Sequence, residues 1–391
     1  MSPKPQQRRR RARPRPSSRP SRAGERHEVE AGPIAHGGHV VARLPAVEAA
    51  GTGIVVFVRH ALPGERVVVK ITVGREGDRF LRGDAVEVLE ASPHRVPAPC
   101  PYAGPDACGG CDFQHVTLEH QRALKTAVVR EQLSHLAGLD VDVVVEAVPP
   151  GDGLGWRTRM QYVDLPRGTV SGRGLRKHRS HEVVEIEQCL IDAHPGGRAA
   201  SASERVETTH GTLDFAVEPD GFWQPHVAAP QTLVDCVLDF LAPKPGESVV
   251  DLYAGVGLFA AFLAEAVGEH GSVVAVEGDR VAAAHAAENA GLSVEADVQR
   301  WLERGDVADA ADHGADLVVL DPPRTGAKRR VVEGIARLRP RAVAYVACDP
   351  AALARDVAIF AENGYTLSRL RAFDLFPMTH HIECVALLTR T

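Results

Sequence analysis

The sequence predicts an α/β fold in its C-terminal half, preceded by a β-rich N-terminal half. From about residue 247, short apolar strands alternate with helical patterns, which is typical of an open parallel sheet with helices on both faces. Between about residues 26 and 89, runs rich in Val and Ile alternate with Gly- and Pro-bearing turns. This pattern predicts a small Greek-key barrel of the OB type with four or five strands. We therefore divide the chain into a basic tail (1–25), a barrel (26–92), a β-rich central domain with closely spaced cysteines (93–200) and an α/β domain (201–391).

The composition is that of an ordinary soluble globular protein, with 44% hydrophobic and 25% charged residues in a chain of 391. No apolar stretch approaches membrane-spanning length, and the N-terminus lacks the apolar core of a signal peptide. We therefore expect a cytoplasmic monomer that has reduced thiols and no membrane partner.

The charge is distributed unevenly along the chain. Residues 1–22 carry nine Lys and Arg side chains and no acid, so a net charge of −6 leaves −6 − 9 = −15 on the remainder. This tail lacks Leu, Ile, Val and Phe, which predicts disorder because it cannot bury enough apolar surface to fold. A basic arm suggests a polyanionic partner, most simply nucleic acid, although a solubilising extension would have the same composition. The acidic body restricts any RNA contact to a local basic patch.

The barrel segment carries four short motifs, which are Gly32-Pro33-Ile34-Ala35-His36-Gly37-Gly38, Val56-Phe57-Val58, Ala61-Leu62-Pro63-Gly64-Glu65 and Val67-Val68-Val69. With these motifs the segment resembles a TRAM domain, an RNA-binding barrel. Barrel surfaces of this kind bind single strands through backbone charge and base stacking. The resemblance implies an RNA partner, and a purely structural barrel is the alternative.

Closely spaced cysteines mark the central domain. Cys100, Cys108 and Cys111 have the spacing C-x7-C-x2-C, and Cys189 follows after a long interval. Neighbouring Gly and Pro residues let the backbone turn so that several thiolates converge on one centre, which indicates a metal or cluster site. Zinc and a [4Fe–4S] cluster both accept four thiolates, and spacing alone does not separate them. Between these cysteines, residues 118–136 predict an amphipathic helix and residues 141–148 a strand.

A strongly basic, β-rich stretch begins at Trp156 and ends before Cys189. It holds the densest cationic cluster of the folded body, made of Arg157, Arg159, Arg173, Arg176, Lys177, His178 and Arg179. The planar forks of arginine give bidentate hydrogen bonds to phosphates. We therefore predict a phosphate-contact surface here, with a solvated face as the alternative.

A Gly-rich loop follows the first strand of the α/β domain. Residues 248–257 predict a buried strand that runs into this loop, and a helix begins near Leu258. The next strand ends at Glu277, and an acid at that position accepts hydrogen bonds from ribose hydroxyls. The loop is not a full G-x-G-x-x-G, so NAD binding is not favoured. Together with Asp251 and a third strand ending at Asp297, it resembles a class I S-adenosylmethionine site.

Two further motifs follow later strands. The strand 316–320 ends in Asp321-Pro322-Pro323-Arg324, and a D-P-P tip there is typical of methyltransferases that act on nucleobases. The strand 342–346 leads into Cys348-Asp349-Pro350 and a helical pattern. A cysteine at the tip of such a strand lies where open α/β sheets bind ligands, so Cys348 is a candidate nucleophile, with a buried inert thiol as the alternative. An aromatic residue after the two prolines would suggest methylation of an exocyclic amine. This chain has Arg324 there and a cysteine on the following strand, which indicates methylation of a ring carbon.

These motifs occur in the order of a known family, together with Phe222-Trp223-Gln224, Glu288-Asn289-Ala290 and Phe376-Pro377-Met378-Thr379-His380-His381-Ile382-Glu383. On these residues the chain resembles the RNA uracil-5-methyltransferase family, in the version with a TRAM domain and an iron–sulfur cluster. The resemblance implies a class I methyltransferase fold with a Rossmann-like sheet, S-adenosylmethionine as methyl donor and a [4Fe–4S] cluster. It also implies an RNA substrate, with 23S ribosomal RNA favoured and transfer RNA as the alternative.

The same resemblance implies roles for particular residues. Cys348 is the nucleophile, and Glu383, on a last strand that is antiparallel in this fold class, is the general base. The implied contacts to S-adenosylmethionine are Gln224, Tyr253, Leu258, Glu277, Asp297 and Asp321, and the implied cluster ligands are Cys100, Cys108, Cys111 and Cys189. The chain departs from the family at His226, where Asn is usual, and at Asp349, which replaces the Asn of S-C-N-P but can still cap the following helix.

Three other functions fit parts of the sequence. A cytosine-5 RNA methyltransferase would carry a second cysteine in the strand-four motif, where this chain has D-P-P-R. An RNA-binding or RNA-folding protein with a vestigial methyltransferase domain would not need Cys348, Glu383 or the donor loop. A redox enzyme built on the cluster would need a further redox feature, which the sequence lacks. The sequence therefore favours methylation of uridine in RNA.

Overall fold

The structure, a computed structural model, describes residues 19–44, 53–166, 171–195, 203–219, 221–304 and 314–391. Most of the basic tail lies outside the described residues, so its disorder stays a prediction. Of its last residues, Arg19 forms an ion pair with Asp78 at 2.7 Å, and Arg22 forms one with Glu25 at 2.7 Å.

Strands and helices follow the predicted order along the chain. In the described residues the strands are β1 (Arg26–Glu30), β2 (Ile34–Ala35), β3 (His39–Arg43), β4 (Val55–Arg59), β5 (Arg66–Val73), β6 (Phe80–Glu90), β7 (Val145–Ala147), β8 (Val163–Asp164), β9 (Arg173–Arg176), β10 (Val183–Glu185), β11 (Ser203–Thr208), β12 (Gly211–Ala216), β13 (Ser248–Leu252), β14 (Ser272–Glu277), β15 (Ser293–Glu295), β16 (Leu317–Leu320), β17 (Ala342–Ala347), β18 (Tyr365–Asp374) and β19 (Glu383–Arg390). The helices are α1 (Leu118–Ala137), α2 (Ala229–Leu241), α3 (Leu258–Val267), α4 (Arg280–Ala290), α5 (Val298–Arg304), α6 (Lys328–Leu338) and α7 (Pro350–Glu362). No helix in this part of the chain is long and apolar enough to span a lipid bilayer.

The N-terminal strands form one six-stranded sheet in the order β1-β5-β6-β4-β3-β2. Its neighbours are antiparallel except for β4 and β6, which run parallel. Alternate residues of β5, such as Val67, Val69 and Ile71, are buried, as the two-residue period of a strand requires. The small β domain is therefore present, and it has six strands instead of the four or five predicted. The strand β2 was missed because two residues are too few to form a recognisable pattern in the sequence.

The C-terminal half forms an eight-stranded sheet in the order β15-β14-β13-β16-β17-β19-β18-β7. The first five strands of this order are parallel, and β19 runs antiparallel to β17. The predicted α/β class is confirmed, and the last strand lies beside the strand that leads to Cys348. The strand β17 is buried along its whole length, because a strand covered on both faces needs apolar side chains on both.

Helices cover both faces of this sheet. Successive side chains of β17 alternate between two cores, so that Val343 and Tyr345 belong to one and Ala344 and Val346 to the other. Helices α1, α6 and α7 contribute to the first core, and α2 and α3 to the second. The first core is continuous with that of the N-terminal sheet, so the small β domain packs against the α/β half.

One strand of the large sheet comes from the cysteine-bearing segment. The strand β7 pairs in parallel with β18, and α1 packs on α7. The sequence predicted both elements, but nothing in it indicated that they join the C-terminal sheet. The domain boundaries at residues 92 and 200 stay predictions.

A buried ion pair joins α1 to the end of β18. Lys125 Nζ lies 2.6 Å from Asp374 Oδ1 and 3.0 Å from the carbonyl oxygen of Phe376. Burial lowers the pKa of Lys125, and the carboxylate of Asp374 opposes that effect. The pair holds the beginning of the segment 375–382, which leads to Glu383.

We predict that Lys125→Met lowers the free energy of unfolding by about 3–5 kcal/mol, because it leaves the Asp374 carboxylate buried without its counter-charge. Arg329→Met is the matched control, since Arg329 pairs with Glu362 at the surface and exposed pairs contribute little. Urea unfolding followed by circular dichroism compares the variants. Equal losses of stability in both variants would contradict the role of the buried pair.

Candidate functional site

A cavity of about 1060 Å³ lies at the carboxyl ends of the parallel strands, where open α/β sheets bind ligands. It is lined by most of the residues that the sequence singled out for the donor and the reaction, namely Gln224, Tyr253, Leu258, Glu277, Asp321, Cys348 and Glu383. The structure therefore brings together residues from six separate motifs of the sequence.

Of the residues predicted to contact S-adenosylmethionine, Asp297 alone does not line this cavity. It is exposed, follows the end of β15 and does not line the cavity. Its Oδ1 accepts a hydrogen bond from the N–H of Arg300 at 3.0 Å, at the start of α5. Burial raises the pKa of Tyr253 to about 12, and Asp297 adds to that shift. Asp297 therefore lies near Tyr253 but outside the cavity wall.

The glycine-rich loop after β13 fixes the carboxylate of Glu277. The N–H of Gly255 donates to Glu277 Oε2 at 2.8 Å, and the N–H of Asp279 donates to Oε1 at 2.7 Å. Gly257 has a φ of +86°, and a Cβ there would lie 3.2 Å from Ala286 Cα, so a side chain would strain the turn and crowd α4. Each oxygen of Glu277 keeps a lone pair for a ligand hydroxyl.

The Glu288-Asn289-Ala290 motif supports this loop. Asn289 Nδ2 donates to the carbonyl oxygens of Val256 at 2.8 Å and Ala216 at 3.0 Å. Its Oδ1 accepts from the N–H of Ala216 at 2.8 Å. Asn289 therefore ties the loop to β12, a structural role that its place in a helix did not indicate.

Cys348 and Glu383 lie opposite each other at the ends of two paired strands. In the antiparallel pairing of β17 with β19, Ala347 is the partner of Cys384. The residue after Ala347 is the nucleophile candidate, and the residue before Cys384 is the base candidate. The register therefore sets the thiol and the carboxylate across from each other. Glu383 is only 6% exposed.

Burial disfavours negative charge on both of these groups. It raises the pKa of the Cys348 thiol to about 12, and Glu383 and Asp321 add to the shift. It also raises the pKa of Glu383 well above the ordinary carboxyl range, with a further contribution from Asp321. Arg324 acts in the opposite direction on both pKa values. A positively charged ligand in the cavity would likewise favour the thiolate and the carboxylate.

The two residues that depart from the family pattern have structural roles. Asp349 Oδ1 accepts from the N–H of Ala352 at 2.7 Å, which confirms the predicted helix cap. His226 is fully buried and stacks on Trp156, and its Nδ1 accepts from the N–H of Ala228 at 3.0 Å. Burial lowers the pKa of His226 to about 4, so the ring is neutral, and it does not line the cavity.

A second cavity, of about 400 Å³, adjoins the first at Cys348 and Arg324, which line both. Its other walls come from three parts of the chain and include His36, Phe57, Arg82, His178, Arg179, His380 and His381. Arginine suits phosphates, and an aromatic ring suits a stacked base. The nucleophile candidate therefore lies between a large cavity and a smaller basic one.

The four cysteines of the central segment line a third cavity, of about 520 Å³; they are Cys100, Cys108, Cys111 and Cys189. Burial raises the pKa of Cys111 to about 12, and the other three thiols add to the shift, so the four lie within electrostatic reach. Among the described residues, no three His, Cys, Asp or Glu side chains form a group that could hold a metal ion. The cysteines thus converge without a preformed coordination site, and the cluster stays a prediction.

The basic stretch packs on the loop that carries these cysteines. Cys108 pairs through its backbone with Lys177, and the N–H of Gly109 donates to the carbonyl of Arg176 at 3.1 Å. A Cβ on Gly109 would lie 2.4 Å from the backbone nitrogen of His178, so only glycine permits this approach. The cysteine loop therefore supports the segment that carries His178 into the second cavity.

Two buried side chains shape the site in a way that the sequence did not indicate. The hydroxyl of Tyr345 donates to Asp356 Oδ2 at 2.7 Å, and the N–H of Ala327 donates to the same carboxylate oxygen at 2.7 Å. This contact fixes the turn that follows Asp321-Pro322-Pro323-Arg324. Asp356 was missed because an acid in a helical pattern is usually exposed.

Both halves of the chain are similar to known protein families. Residues 202–391 match the family model of tRNA (uracil-5-)-methyltransferase, and residues 20–86 match that of the TRAM domain. The chain is 42% identical to a Streptomyces avermitilis protein named an uncharacterized RNA methyltransferase, over 93% of this chain and 98% of the relative. It is 28% identical to the 23S rRNA (uracil(1939)-C(5))-methyltransferase RlmD of Acinetobacter baylyi, over 86% of this chain and 89% of that protein.

The fold is also similar to that of a solved structure. The tRNA (uracil-54, C5)-methyltransferase of Pyrococcus abyssi, in complex with S-adenosyl-L-homocysteine, superposes with a TM-score of 0.64 at 20% sequence identity. The match covers 93% of this chain and 100% of the other. At this identity the likeness concerns the fold alone.

We predict that Cys348 reacts slowly with iodoacetamide at neutral pH and faster in alkaline solution, because only the thiolate reacts and its pKa is raised. Glu383→Gln should move this pH profile to lower pH, since an ionised Glu383 disfavours the thiolate. Peptide mass spectrometry separates Cys348 from the six other cysteines. Glu362→Gln, at the surface, is the control, and a profile that is identical in both variants would contradict the coupling.

Proposed function

Because this chain belongs to the RNA methyltransferases and its residues 202–391 match the family model of tRNA (uracil-5-)-methyltransferase, we propose that it transfers a methyl group from S-adenosylmethionine to carbon 5 of one uridine in 23S ribosomal RNA. The protein is an S-adenosylmethionine-dependent RNA methyltransferase. The observation that carries the proposal is the register of β17 and β19, which sets Cys348 across from Glu383 at the large cavity. Methylation at a ring carbon of uracil needs one thiolate and one base, and these two side chains supply them.

The chemistry assigns one step to each side chain. Carbon 5 of uracil is a poor nucleophile until the thiolate of Cys348 adds to carbon 6, which makes carbon 5 enolate-like. Carbon 5 then attacks the methyl carbon of S-adenosylmethionine. The electrons of the broken carbon–sulfur bond stay on sulfur, so that S-adenosylhomocysteine leaves. Glu383 removes the proton from carbon 5, and elimination of the thiolate restores the ring. The methyl group gained replaces the proton lost, so atoms and electrons balance.

The raised pKa of Glu383 suits its role, whereas that of Cys348 must be offset by positive charge. A carboxylate whose pKa is raised accepts a proton more readily than an ordinary one, which suits Glu383 as the base. The Cys348 thiol needs help to ionise, and Arg324 favours its thiolate form. S-adenosylmethionine carries its methyl group on a positively charged sulfur, so its binding would favour the same form.

The large cavity has the features that this donor requires. Glu277 would accept hydrogen bonds from the ribose hydroxyls, because both its oxygens are held by backbone N–H groups and keep free lone pairs. Gln224 Nε2 lies 3.4 Å from Asp321 Oδ2, so these side chains form one polar wall. Tyr253 and Leu258 would complete the contacts, with Asp297 outside the wall.

The ribosomal substrate is supported by the similarity to the 23S rRNA enzyme, and the TRAM match supports an RNA partner in general. The target uridine must leave its stack to reach Cys348, and the second cavity offers a basic entry to it. Arg82, Arg179 and Arg324 would contact the phosphates there. Transfer RNA is the alternative substrate, which the same assay tests.

We also propose that the four cysteines of the third cavity hold a [4Fe–4S] cluster, with zinc as the alternative. Four thiols that line one cavity could supply the ligands of either group. The cluster would stabilise the cysteine loop and, through Gly109 and Arg176, the basic stretch that packs on it.

The experiment that tests the proposed function is methylation of purified RNAs. We expect nucleoside mass spectrometry to detect 5-methyluridine at one position of 23S ribosomal RNA, and Cys348→Ala to abolish it while RNA binding persists. Cys236→Ala is the matched control, because Cys236 is buried in α2 and does not line the cavity. Activity that survives in Cys348→Ala would contradict the proposal. Methylation of transfer RNA alone would show that transfer RNA, and not 23S ribosomal RNA, is the substrate.

Metal analysis tests the third cavity. We expect anaerobically purified protein to contain about four iron and four sulfide per chain, because four thiolates bind a [4Fe–4S] cluster. Cys111→Ser should lose the cluster, while Cys236→Ala should keep it. One zinc per chain would identify the alternative, and protein that lacks both metals would contradict the assignment of the four cysteines.

A further inference from the structure

The turn between β2 and β3 contacts both sides of the reacting centre. His36 Nε2 lies 2.9 Å from Asp349 Oδ2, and Asp349 is the residue after the nucleophile. A Cβ on Gly38 would lie 2.5 Å from the Cβ of His380, which stands three residues before the general base. A single turn of the small β domain therefore contacts the segments that carry both reacting side chains.

Asp349 uses each carboxylate oxygen for a different partner. Oδ1 accepts from the N–H of Ala352 and caps α7, while Oδ2 pairs with His36. Burial raises the pKa of Asp349, but the hydrogen bonds from His36 and Ala352 outweigh it and leave the pKa below its ordinary value. Asp349 is therefore a full negative charge held between a helix N-terminus and a histidine. The Asn that is usual in the family would lack this charge.

His380 is also held by Asp112. Its Nδ1 lies 2.6 Å from Asp112 Oδ2, and the N–H groups of Asp112 and Phe113 both donate to the carbonyl of Met378 at 2.9 Å. Gly38 has a φ of +75° and contacts His380 through its bare Cα. The segment before Glu383 is thus fixed by contacts with Gly38 and Asp112.

We propose that this turn is a positioning clamp for methyl transfer, in which His36 orients the nucleophile through Asp349 and Gly38 orients the base through His380. The inference rests on the proposed reaction. His36 and Gly38 act through other residues, so they are positioning residues. Because small misplacements of reacting groups have large effects on rate, loss of either contact slows the methyl-transfer step itself, in addition to any effect on RNA affinity.

His36→Gln tests the first contact in the full-length protein. The single-turnover rate of methyl transfer, measured at saturating RNA and S-adenosylmethionine, should fall on the order of tenfold to hundredfold. Because His36 also lines the basic cavity, RNA affinity is measured separately, and saturation removes its effect on the rate. His27→Gln is the matched control, because His27 forms the same kind of pair with Glu25, at 2.9 Å, in the same sheet. Equal rates for the two variants, or a loss that appears only in RNA affinity, would overturn the proposal.

A double variant separates positioning from a general loss of structure. Asp349→Asn keeps a side chain that can cap α7 but removes the charge that faces His36. If the pair acts as one unit, His36→Gln/Asp349→Asn should be no slower than the slower single variant. Losses that multiply would mean that the two residues act independently and would contradict the clamp.

Gly38→Ala tests the second contact, with Gly64→Ala as its control. Both glycines have positive φ, and among the described residues nothing lies within 4 Å of a Cβ at Gly64. Both substitutions strain the backbone and should lower Tm, but only Gly38→Ala should slow methyl transfer. A wild-type protein that methylates no RNA would refute the proposed function, whereas an active wild type with both glycine variants equally fast would refute the clamp alone.

Discussion

The antiparallel pairing of β17 with β19 is the constraint on which the site depends. Ala347 is the pairing partner of Cys384, so Cys348 lies opposite Glu383 at the edge where the parallel strands end. A slip of one residue would turn every side chain of one strand to the other face. The slip is prevented by packing, because both strands bury apolar residues on both faces of the sheet. The geometry of the reacting pair is therefore a consequence of how the core is packed.

The same burial disfavours negative charge on three acidic groups of the site. Cys348, Asp321 and Glu383 line one cavity, and burial raises the pKa of each. Three such groups cannot all ionise close together without a positive charge. Arg324 supplies part of it, and a cationic methyl donor would supply more. In the proposed mechanism, binding of the methyl donor and ionisation of Cys348 are thus coupled by charge.

Much of this arrangement could be predicted from the sequence, because the motifs lie at the ends of strongly periodic strands. Cys348, Glu277 and Asp321 each follow a buried apolar run, so strand order alone brings them to one edge of the sheet. Two of the missed features involve partners that are distant in the chain. Lys125 pairs with Asp374 across 249 residues, and β7 joins the large sheet beside β18. Local periodicity carries no information on such partners, and a buried lysine cannot be told from an exposed one in a helical pattern.

The measurement that tests the central claim most directly is trapping with RNA that contains 5-fluorouridine. The base cannot remove fluorine from carbon 5 as it removes a proton. The reaction should therefore stop while the methylated uracil ring is still bonded to the sulfur of Cys348. In the presence of S-adenosylmethionine, we expect mass spectrometry of the digested complex to find a methylated fluorouracil nucleotide on the Cys348 peptide. The account would be contradicted if no adduct formed at Cys348 while the protein methylated ordinary RNA at its full rate.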